Sequence, residues 1–219
     1  MNDWIERLFE KPALAAMGHG QSVADANLGL GWIYYGLARV IRPKTVVVIG
    51  SHRGFVPLVL GKALSDNLDG GKVVFIDPSM VDDFWKSPAE VLEHFVQFGV
   101  TNIEHHLMTT EQFTRTEAYS SLGSLGMVFI DGYHTEEAAR FDYDAFEGLL
   151  APQGVILLHD SAACEISGMY GPERRYRRTV KLFVDKLKED ERLQVFDLPF
   201  DQGVTLVRKL PVEEGSAGA

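Results

Sequence analysis

Four polar segments of the chain each follow a short apolar run, and their residue types suit ligand binding and proton transfer. Carboxylates accept hydrogen bonds from sugar hydroxyls and bind hard cations, while histidine exchanges a proton near neutral pH. Small residues after an apolar run let the backbone approach a ligand closely. The four segments are residues 50–54 (GSHRG), Asp77, residues 131–134 (DGYH) and residues 159–161 (HDS).

The first segment precedes a predicted helix, so its amide groups offer hydrogen bonds to an anionic part of a ligand. Gly50, Ser51 and Gly54 are the small residues of this loop. The dinucleotide fingerprint G-x-G-x-x-G is broken, the Walker pattern is absent, and a nucleophile elbow would need serine where His52 stands. The remaining G-x-x-x-G spacing predicts either a nucleotide-type loop or a plain tight turn.

Asp77 stands at the end of the second apolar run, in the segment VVFIDPS. It lies 27 residues beyond Gly50, which is the length of one βαβ unit. An acidic residue at this point of a nucleotide-binding α/β fold accepts hydrogen bonds from ribose hydroxyls. An ordinary turn or helix-capping aspartate is the alternative interpretation, and the pairing with the glycine loop favours ribose binding.

The elements that must position these residues alternate between β-branched runs and amphipathic stretches. Continuous apolar runs are typical of parallel strands that are covered on both faces. The pattern therefore predicts an α/β fold with a doubly wound, mostly parallel sheet. The predicted strands are residues 45–49, 72–76, 102–106, 127–130 and 155–158, and the predicted helices are residues 55–65, 88–98, 135–150 and 172–189.

The two ends of the chain depart from this alternation. Residues 193–198 and 204–209 read as two strands whose short connection requires an antiparallel hairpin. Residues 22–41 read as an aromatic-rich helix that packs on the core, covers a ligand or forms a contact in a homo-oligomer. We therefore expect an N-terminal helical cap segment (1–44), a main domain (45–211) and a disordered tail (212–219).

Composition narrows the classes of function. The 219 residues include 31 acidic and 21 basic side chains, and the net charge of −10 argues against a nucleic-acid partner. A single cysteine cannot form a disulfide within the chain, and neither a membrane span nor a signal peptide is apparent. We expect a cytoplasmic protein with a small-molecule substrate. The basic cluster at residues 174–178 is either a solvated helix face or a contact for an anionic partner.

The glycine loop, Asp77 and the terminal hairpin together resemble the class I S-adenosylmethionine-dependent methyltransferases, from about residue 45 to residue 209. The resemblance implies a seven-stranded Rossmann-like sheet with a C-terminal antiparallel hairpin. It also implies S-adenosylmethionine as cofactor, bound by the loop residues Gly50, Ser51 and Gly54 together with Asp77 and Asp131. The acidic residue that this family usually carries two positions before the first glycine is replaced here by valine.

The segment from residue 127 to residue 161 is similar to that of small-molecule O-methyltransferases, including metal-dependent catechol and sugar enzymes. In those enzymes, acidic residues after the fourth and fifth strands hold a divalent cation. The resemblance implies Mg²⁺ on Asp131, Asp160 and Ser161, with His159 as an alternative ligand. His134 lies three residues past Asp131, and we expect it to be the general base because histidine exchanges a proton near neutral pH. The alternative is that Asp131 caps its loop and Asp160 contacts substrate or backbone without a metal.

These observations predict an enzyme that methylates a hydroxyl group of a small molecule, with Asp131 and His134 as catalytic residues. Two other functions remain open at this point. One is a nicotinamide-dependent oxidoreductase, against which the broken glycine fingerprint and the hairpin both count. The other is a catalytically inactive methyltransferase-like binding protein, which Val48 at the usually acidic position keeps open.

Overall fold

In the computed structural model, which describes residues 1–211, seven strands form one sheet and two short strands form a separate ribbon. The predicted disordered tail, residues 212–219, lies outside the described residues. The strands of the main sheet are β1 (Thr45–Ile49), β2 (Lys72–Ile76), β3 (Ile103–His106), β4 (Leu125–Ile130), β5 (Leu150–His159), β8 (Leu193–Leu198) and β9 (Val204–Lys209); the ribbon consists of β6 (Ile166–Ser167) and β7 (Tyr176–Arg177).

The main sheet has the strand order β3-β2-β1-β4-β5-β9-β8. The first five strands in this order run parallel, while β9 is antiparallel to both β5 and β8. The predicted sheet with its C-terminal antiparallel hairpin is therefore confirmed. Four strands have the predicted bounds, because β-branched apolar runs between glycine, proline and charged residues leave little choice of register.

Helices cover both faces of the sheet, as the continuous apolar strands predict. Val46 and Val48 of β1 face one core, and Val47 and Ile49 face the other, because successive strand residues point to opposite faces. The helices are α1 (Asn2–Phe9), α2 (Pro12–Ala15), α3 (Gly31–Ile41), α4 (Phe55–Asn67), α5 (Pro88–Val96), α6 (Thr110–Phe113), α7 (Glu117–Ser120), α8 (Glu136–Glu147) and α9 (Val180–Leu187). None of them is long and apolar enough to cross a membrane.

The predicted helix 172–189 is wrong in its first half. A short 3-10 helix (Pro172–Arg174) and strand β7 occupy that stretch, and α9 begins only at Val180. Clustered cations oppose the dipole at a helix N-terminus, which disfavours the longer helix. Residues 174, 175 and 177 of the basic cluster are exposed, whereas Arg178 is turned inward.

The predicted helix 22–41 is shorter at its start, since α3 begins at Gly31. Residues Ser22 and Asn27 instead form an antiparallel bridge around a tight turn. Gly29 adopts a φ of +57°, and its backbone lies so close to Gly20 that a Cβ atom would be 2.4 Å from the Gly20 carbonyl carbon. A helix through this point is therefore excluded.

The N-terminal residues contribute directly to one of the two cores. Ile5 and Leu8 of α1 are fully buried in the same cluster as Val48. The indole Nε1 of Trp4 donates a hydrogen bond of 2.9 Å to the carbonyl oxygen of Phe98, which follows α5. The predicted division of the chain at residue 45 remains an interpretation of the sequence.

Candidate active site

A cavity of about 510 Å³ lies at the carboxyl ends of the parallel strands, where ligands of open α/β sheets bind. We call it the active-site cavity. The predicted site residues that line it are Gly50, Ser51, Asp77, Asp131, His134 and Asp160. The other two, Gly54 and Ser161, are not part of its wall.

Gly50 lies where the tips of β1 and β4 come so close together that a side chain on this residue would not fit. Its φ is +69°, and an added Cβ atom would lie 2.2 Å from the carbonyl oxygen of Asp131. On the other side, the Gly50 N–H donates to the carbonyl oxygen of Ile76 at 2.8 Å. Gly54, with a φ of +84°, precedes the first residue of α4, and its backbone faces the Trp85 ring. It shapes the turn without reaching the cavity.

Asp77 connects the glycine loop to the loop after β2. Its Oδ2 accepts a hydrogen bond from the Ser51 N–H at 3.2 Å, and its Oδ1 accepts one from the Ser79 N–H at 2.7 Å. Burial raises the pKa of Asp77 despite these two amide donors. Each carboxylate oxygen can accept more than one hydrogen bond, so both oxygens remain able to bind a ligand hydroxyl.

His159 and Asp131 form a buried ion pair between the tips of β5 and β4. The Nδ1–H of His159 donates to Asp131 Oδ1 at 2.9 Å, and the Nε2–H donates to the carbonyl oxygen of Gly18 at 3.1 Å. Because a carboxylate and a carbonyl only accept hydrogen bonds, both ring nitrogens must carry protons. Burial opposes this charge, but Asp131 and Asp160 outweigh it and raise the pKa of His159 to about 9.

Asp160 has a cationic partner of its own in Arg178. The guanidinium Nη1 donates to Asp160 Oδ2 at 2.6 Å, while Nη2 donates to Glu165 at 2.7 Å and Gln202 at 2.9 Å. The pKa of Asp160 is lowered, because His159, His134 and Arg178 together outweigh the effect of burial. Sequence reasoning missed Arg178 in this role, since it assigned the residue to the face of a helix.

His134 is 5% exposed and lies between the two acidic side chains. Its Nδ1 is 3.1 Å from Asp160 Oδ2, and its Nε2 is 3.8 Å from Asp131 Oδ1. Burial lowers the pKa of His134 even though both carboxylates favour its charged form. The imidazole is therefore neutral at pH 7 and able to accept a proton within the cavity.

The donor set does not fit the magnesium ion that the resemblance implies. Asp131 already faces a charged imidazolium, and Asp160 already faces a guanidinium. Ser161 Oγ lies 2.8 Å from the hydroxyl of Thr205 on β9 and is outside the cavity wall. Within residues 1–211, no three histidine, cysteine, aspartate or glutamate side chains are arranged to hold a metal ion. We therefore assign no chemical step to magnesium.

Two further parts of the cavity wall are formed by residues outside the predicted set of site residues. Residues 16–18 line it because Gly18 is held by His159, a contact across 141 positions of the chain. Met169 and Tyr170, which follow β6, also line it. Tyr170 packs with Tyr133 at a ring-centroid distance of 5.6 Å, so the wall beside His134 is aromatic.

Residues 47–161, just over half of the chain, match the family model described as a methyltransferase domain. No curated protein sequence matches the chain.

Solved methyltransferase structures are similar to most of the chain. An O-methyltransferase from Bacillus cereus in complex with SAH is 15% identical with a TM-score of 0.64, covering 94% of this chain and 91% of its own. The O-methyltransferase TomG from Streptomyces achromogenes, in complex with SAM, is 17% identical with a TM-score of 0.62, covering 96% and 88%. An SAH-bound Podospora anserina methyltransferase is 22% identical with a TM-score of 0.59, covering 85% and 82%. These likenesses confirm the predicted Rossmann-like methyltransferase fold.

Replacing Gly50 by alanine should disrupt the junction of β1 and β4. Gly70 is a matched control, because its φ is +68° and no atom lies within 4 Å of an added Cβ atom. Gly70→Ala should cost only the left-handed backbone penalty of about 1–2 kcal/mol. We expect Gly50→Ala to lower the free energy of unfolding in urea by at least about 2 kcal/mol more. Equal losses for the two variants would contradict the proposed steric clash.

The charged state of His159 should stabilise the folded protein in a pH-dependent way. Its pKa rises from 6.5 in the unfolded chain to about 9 in the folded chain, so the stabilisation is complete below pH 6.5 and disappears as the pH passes 9. The difference in unfolding free energy between wild type and His159→Gln should therefore shrink by roughly 3 kcal/mol between pH 6 and pH 10. A difference that stays constant over this range would show that the imidazolium pair is absent.

Proposed function

The chain belongs to the methyltransferase-domain family, and we propose that it transfers the methyl group of S-adenosylmethionine to a hydroxyl group of a small molecule. One observation carries the proposal: Asp77 and the neutral His134 line the same cavity. The nucleoside of the donor requires a carboxylate that binds its hydroxyl groups. The hydroxyl group that becomes methylated requires a side chain that accepts its proton. The O-methyltransferase neighbours bound to SAM or SAH support the choice of donor and of acceptor atom.

The residues around the glycine loop fit this donor. Asp77 keeps acceptor positions for the two ribose hydroxyls, and the backbone of Gly50 allows close approach to the cavity floor. Ser51 Oγ is buried and has no hydrogen-bond partner within the described part of the chain, so it is available to a ligand. Gly54 contributes by holding the turn, and Asp131 borders the part of the cavity next to the proton acceptor.

The proposed chemistry is an in-line transfer in which the protein mainly positions groups and moves one proton. When bound, S-adenosylmethionine supplies a methyl group on a positively charged sulfur. His134 accepts the proton of the acceptor hydroxyl, which makes that oxygen a better nucleophile. The imidazolium that forms is stabilised by Asp160 at 3.1 Å and by Asp131 at 3.8 Å. Positioning of the two reactants provides the remainder of the rate enhancement.

Magnesium has no part in this proposal, because the cations His159 and Arg178 already neutralise the carboxylates that would bind it. Neither the broken glycine fingerprint nor the family match supports the alternative of a nicotinamide-dependent oxidoreductase. Labelling of an acceptor by a methyl-labelled donor would exclude the alternative of a catalytically inactive binding protein. A cytoplasmic location and a homo-oligomeric state remain predictions from the sequence.

Binding and turnover experiments test the proposal together. Calorimetry should show that the protein binds S-adenosylmethionine and S-adenosylhomocysteine and does not bind NADH. A panel of phenols, catechols and sugars, supplied with a methyl-labelled donor, should contain an acceptor that becomes labelled. His134→Ala should then reduce turnover by at least about 100-fold and change S-adenosylhomocysteine affinity by less than about threefold, since it removes only the proton acceptor.

His106→Ala is the matched control, because this histidine ends β3 and does not line the cavity. It should leave turnover unchanged. Wild-type turnover should fall as the pH drops through the lowered pKa of His134, below 6.5, and reach a plateau near neutral pH. Full turnover in His134→Ala would remove this residue from the mechanism, and the absence of all donor binding would favour the inactive protein.

Chelation tests the exclusion of magnesium. Turnover of the wild-type protein should be unchanged after incubation with EDTA and dialysis, and added Mg²⁺ should not raise it. The reason is that His159 and Arg178 already pair with Asp131 and Asp160, the carboxylates that would bind the metal ion. Loss of turnover with EDTA that Mg²⁺ restores would instead establish a metal-assisted reaction.

A further inference from the structure

The aromatic part of the cavity wall has no role in the proposed proton transfer. Tyr133 directly precedes His134, lines the active-site cavity and leaves 43% of its surface exposed. The ring of Tyr176 stacks on that of Tyr133, with the centroids 4.7 Å apart and an interplanar angle of 14°. Tyr176 does not itself line the cavity, so it supports the Tyr133 ring from outside. An aromatic surface is therefore held in place directly beside the proton acceptor.

A third tyrosine and a methionine extend this surface. The ring of Tyr170 lies 5.6 Å from that of Tyr133 and 5.7 Å from that of Tyr176, measured between centroids. Met169 also lines the cavity and is 43% exposed. We call Tyr133, Tyr170 and Met169 the acceptor wall. Aromatic rings and thioether sulfur both make favourable contacts with another aromatic ring, so this wall suits a planar aromatic compound.

The charges around the cavity indicate that this compound is uncharged. Within residues 1–211, each cationic side chain of the cavity wall already has a carboxylate partner. The pairs are Arg53 with Asp82 at 3.2 Å, Arg178 with Asp160 at 2.6 Å and His159 with Asp131 at 2.9 Å. Residues 174, 175 and 177 of the basic cluster are exposed and do not line the cavity. An anionic group on the acceptor would lose its hydration without gaining a free counter-charge, which costs free energy.

The reacting centre indicates how many hydroxyl groups the acceptor needs. A bound divalent cation could hold two neighbouring hydroxyls of one acceptor, but Asp131 and Asp160 already face cations. His134 accepts one proton, and one hydroxyl group supplies it. A second hydroxyl group next to the first would therefore contribute little to binding or to the reaction.

We propose that the acceptor is an uncharged aromatic compound whose ring lies against Tyr133 and for which a single hydroxyl group is sufficient. This inference rests on the proposed function and adds the class of acceptor to it. The hydroxyl proton moves to His134, and the acceptor oxygen forms a bond to the methyl carbon while the bond from that carbon to sulfur breaks. The products are an aryl methyl ether, an imidazolium and the uncharged thioether S-adenosylhomocysteine.

The first test uses three acceptors that share one ring and differ by one group each. Methyl 4-hydroxybenzoate should be converted to its methyl ether by the wild-type protein. Methyl 3,4-dihydroxybenzoate, which adds a neighbouring hydroxyl, should have a kcat/KM within about threefold of that value. The anion 4-hydroxybenzoate should have a kcat/KM at least about 10-fold lower, because its carboxylate finds no free cation.

Each other outcome overturns a stated part of the inference. Methylation of the dihydroxy compound alone would show that two neighbouring hydroxyls are required, and a preference for the anion would show that the acceptor is charged. If none of the three is methylated although S-adenosylhomocysteine binds and a sugar is methylated, the aromatic acceptor is wrong and the proposed function stands. If S-adenosylhomocysteine does not bind, the proposed function is wrong as well.

The second test assigns ring recognition to Tyr133. Tyr133→Leu should raise the KM for methyl 4-hydroxybenzoate about 3- to 10-fold, because it removes an aromatic contact. It should leave kcat and S-adenosylhomocysteine affinity within about twofold, while Tyr133→Phe keeps the ring and should retain the wild-type KM. If Tyr133→Leu does not fold, Tyr170→Leu provides the same comparison.

Phe196→Leu is the matched control, because this exposed aromatic residue lies on β8 and does not line the cavity. It should change neither KM nor kcat. An unchanged KM in the leucine variants of the acceptor wall would overturn the assignment, and so would an equal rise in Tyr133→Phe and Tyr133→Leu.

Discussion

The ion pair between His159 and Asp131 is the interaction on which the organisation of the site depends. It connects the tips of β4 and β5, and through the second ring nitrogen of His159 it holds the backbone at Gly18. A buried charge without a partner is strongly destabilising, so the pair constrains all three segments at once. The cavity wall near residues 16–18 follows from this arrangement.

Charge balance then determines the chemical state of each group. Asp131 and Asp160 have separate cationic partners, since His159 donates to Asp131 at 2.9 Å and Arg178 donates to Asp160 at 2.6 Å. His134 is buried beside them with its pKa lowered, which leaves it the neutral member of the group. Two cations and one neutral imidazole suit proton transfer, and Asp131 and Asp160 each already face a cation.

The local sequence was sufficient where short-range physics decides the structure. The β-branched runs that form β1 and β2 predicted those strands with their observed bounds, and the glycine loop and Asp77 followed from what comes directly after them. Residues 172–179 were predicted incorrectly, because the helical period of α9 was extended backwards through a stretch whose backbone pairs with β6 instead. Arg178 was missed for the same reason.

The sequence by itself determined the class of fold, the sheet edge at which the polar residues gather and the residue types that gather there. Local periodicity and turn chemistry encode all three. Only the tertiary structure decided which cation neutralises which carboxylate, since Arg178 meets Asp160 across 18 positions and His159 meets Asp131 across 28. It also brought the backbone of Gly18 to His159 across 141 positions. Contacts of that separation depend on how the loops pack over the sheet, and no repeat or spacing in the chain specifies them.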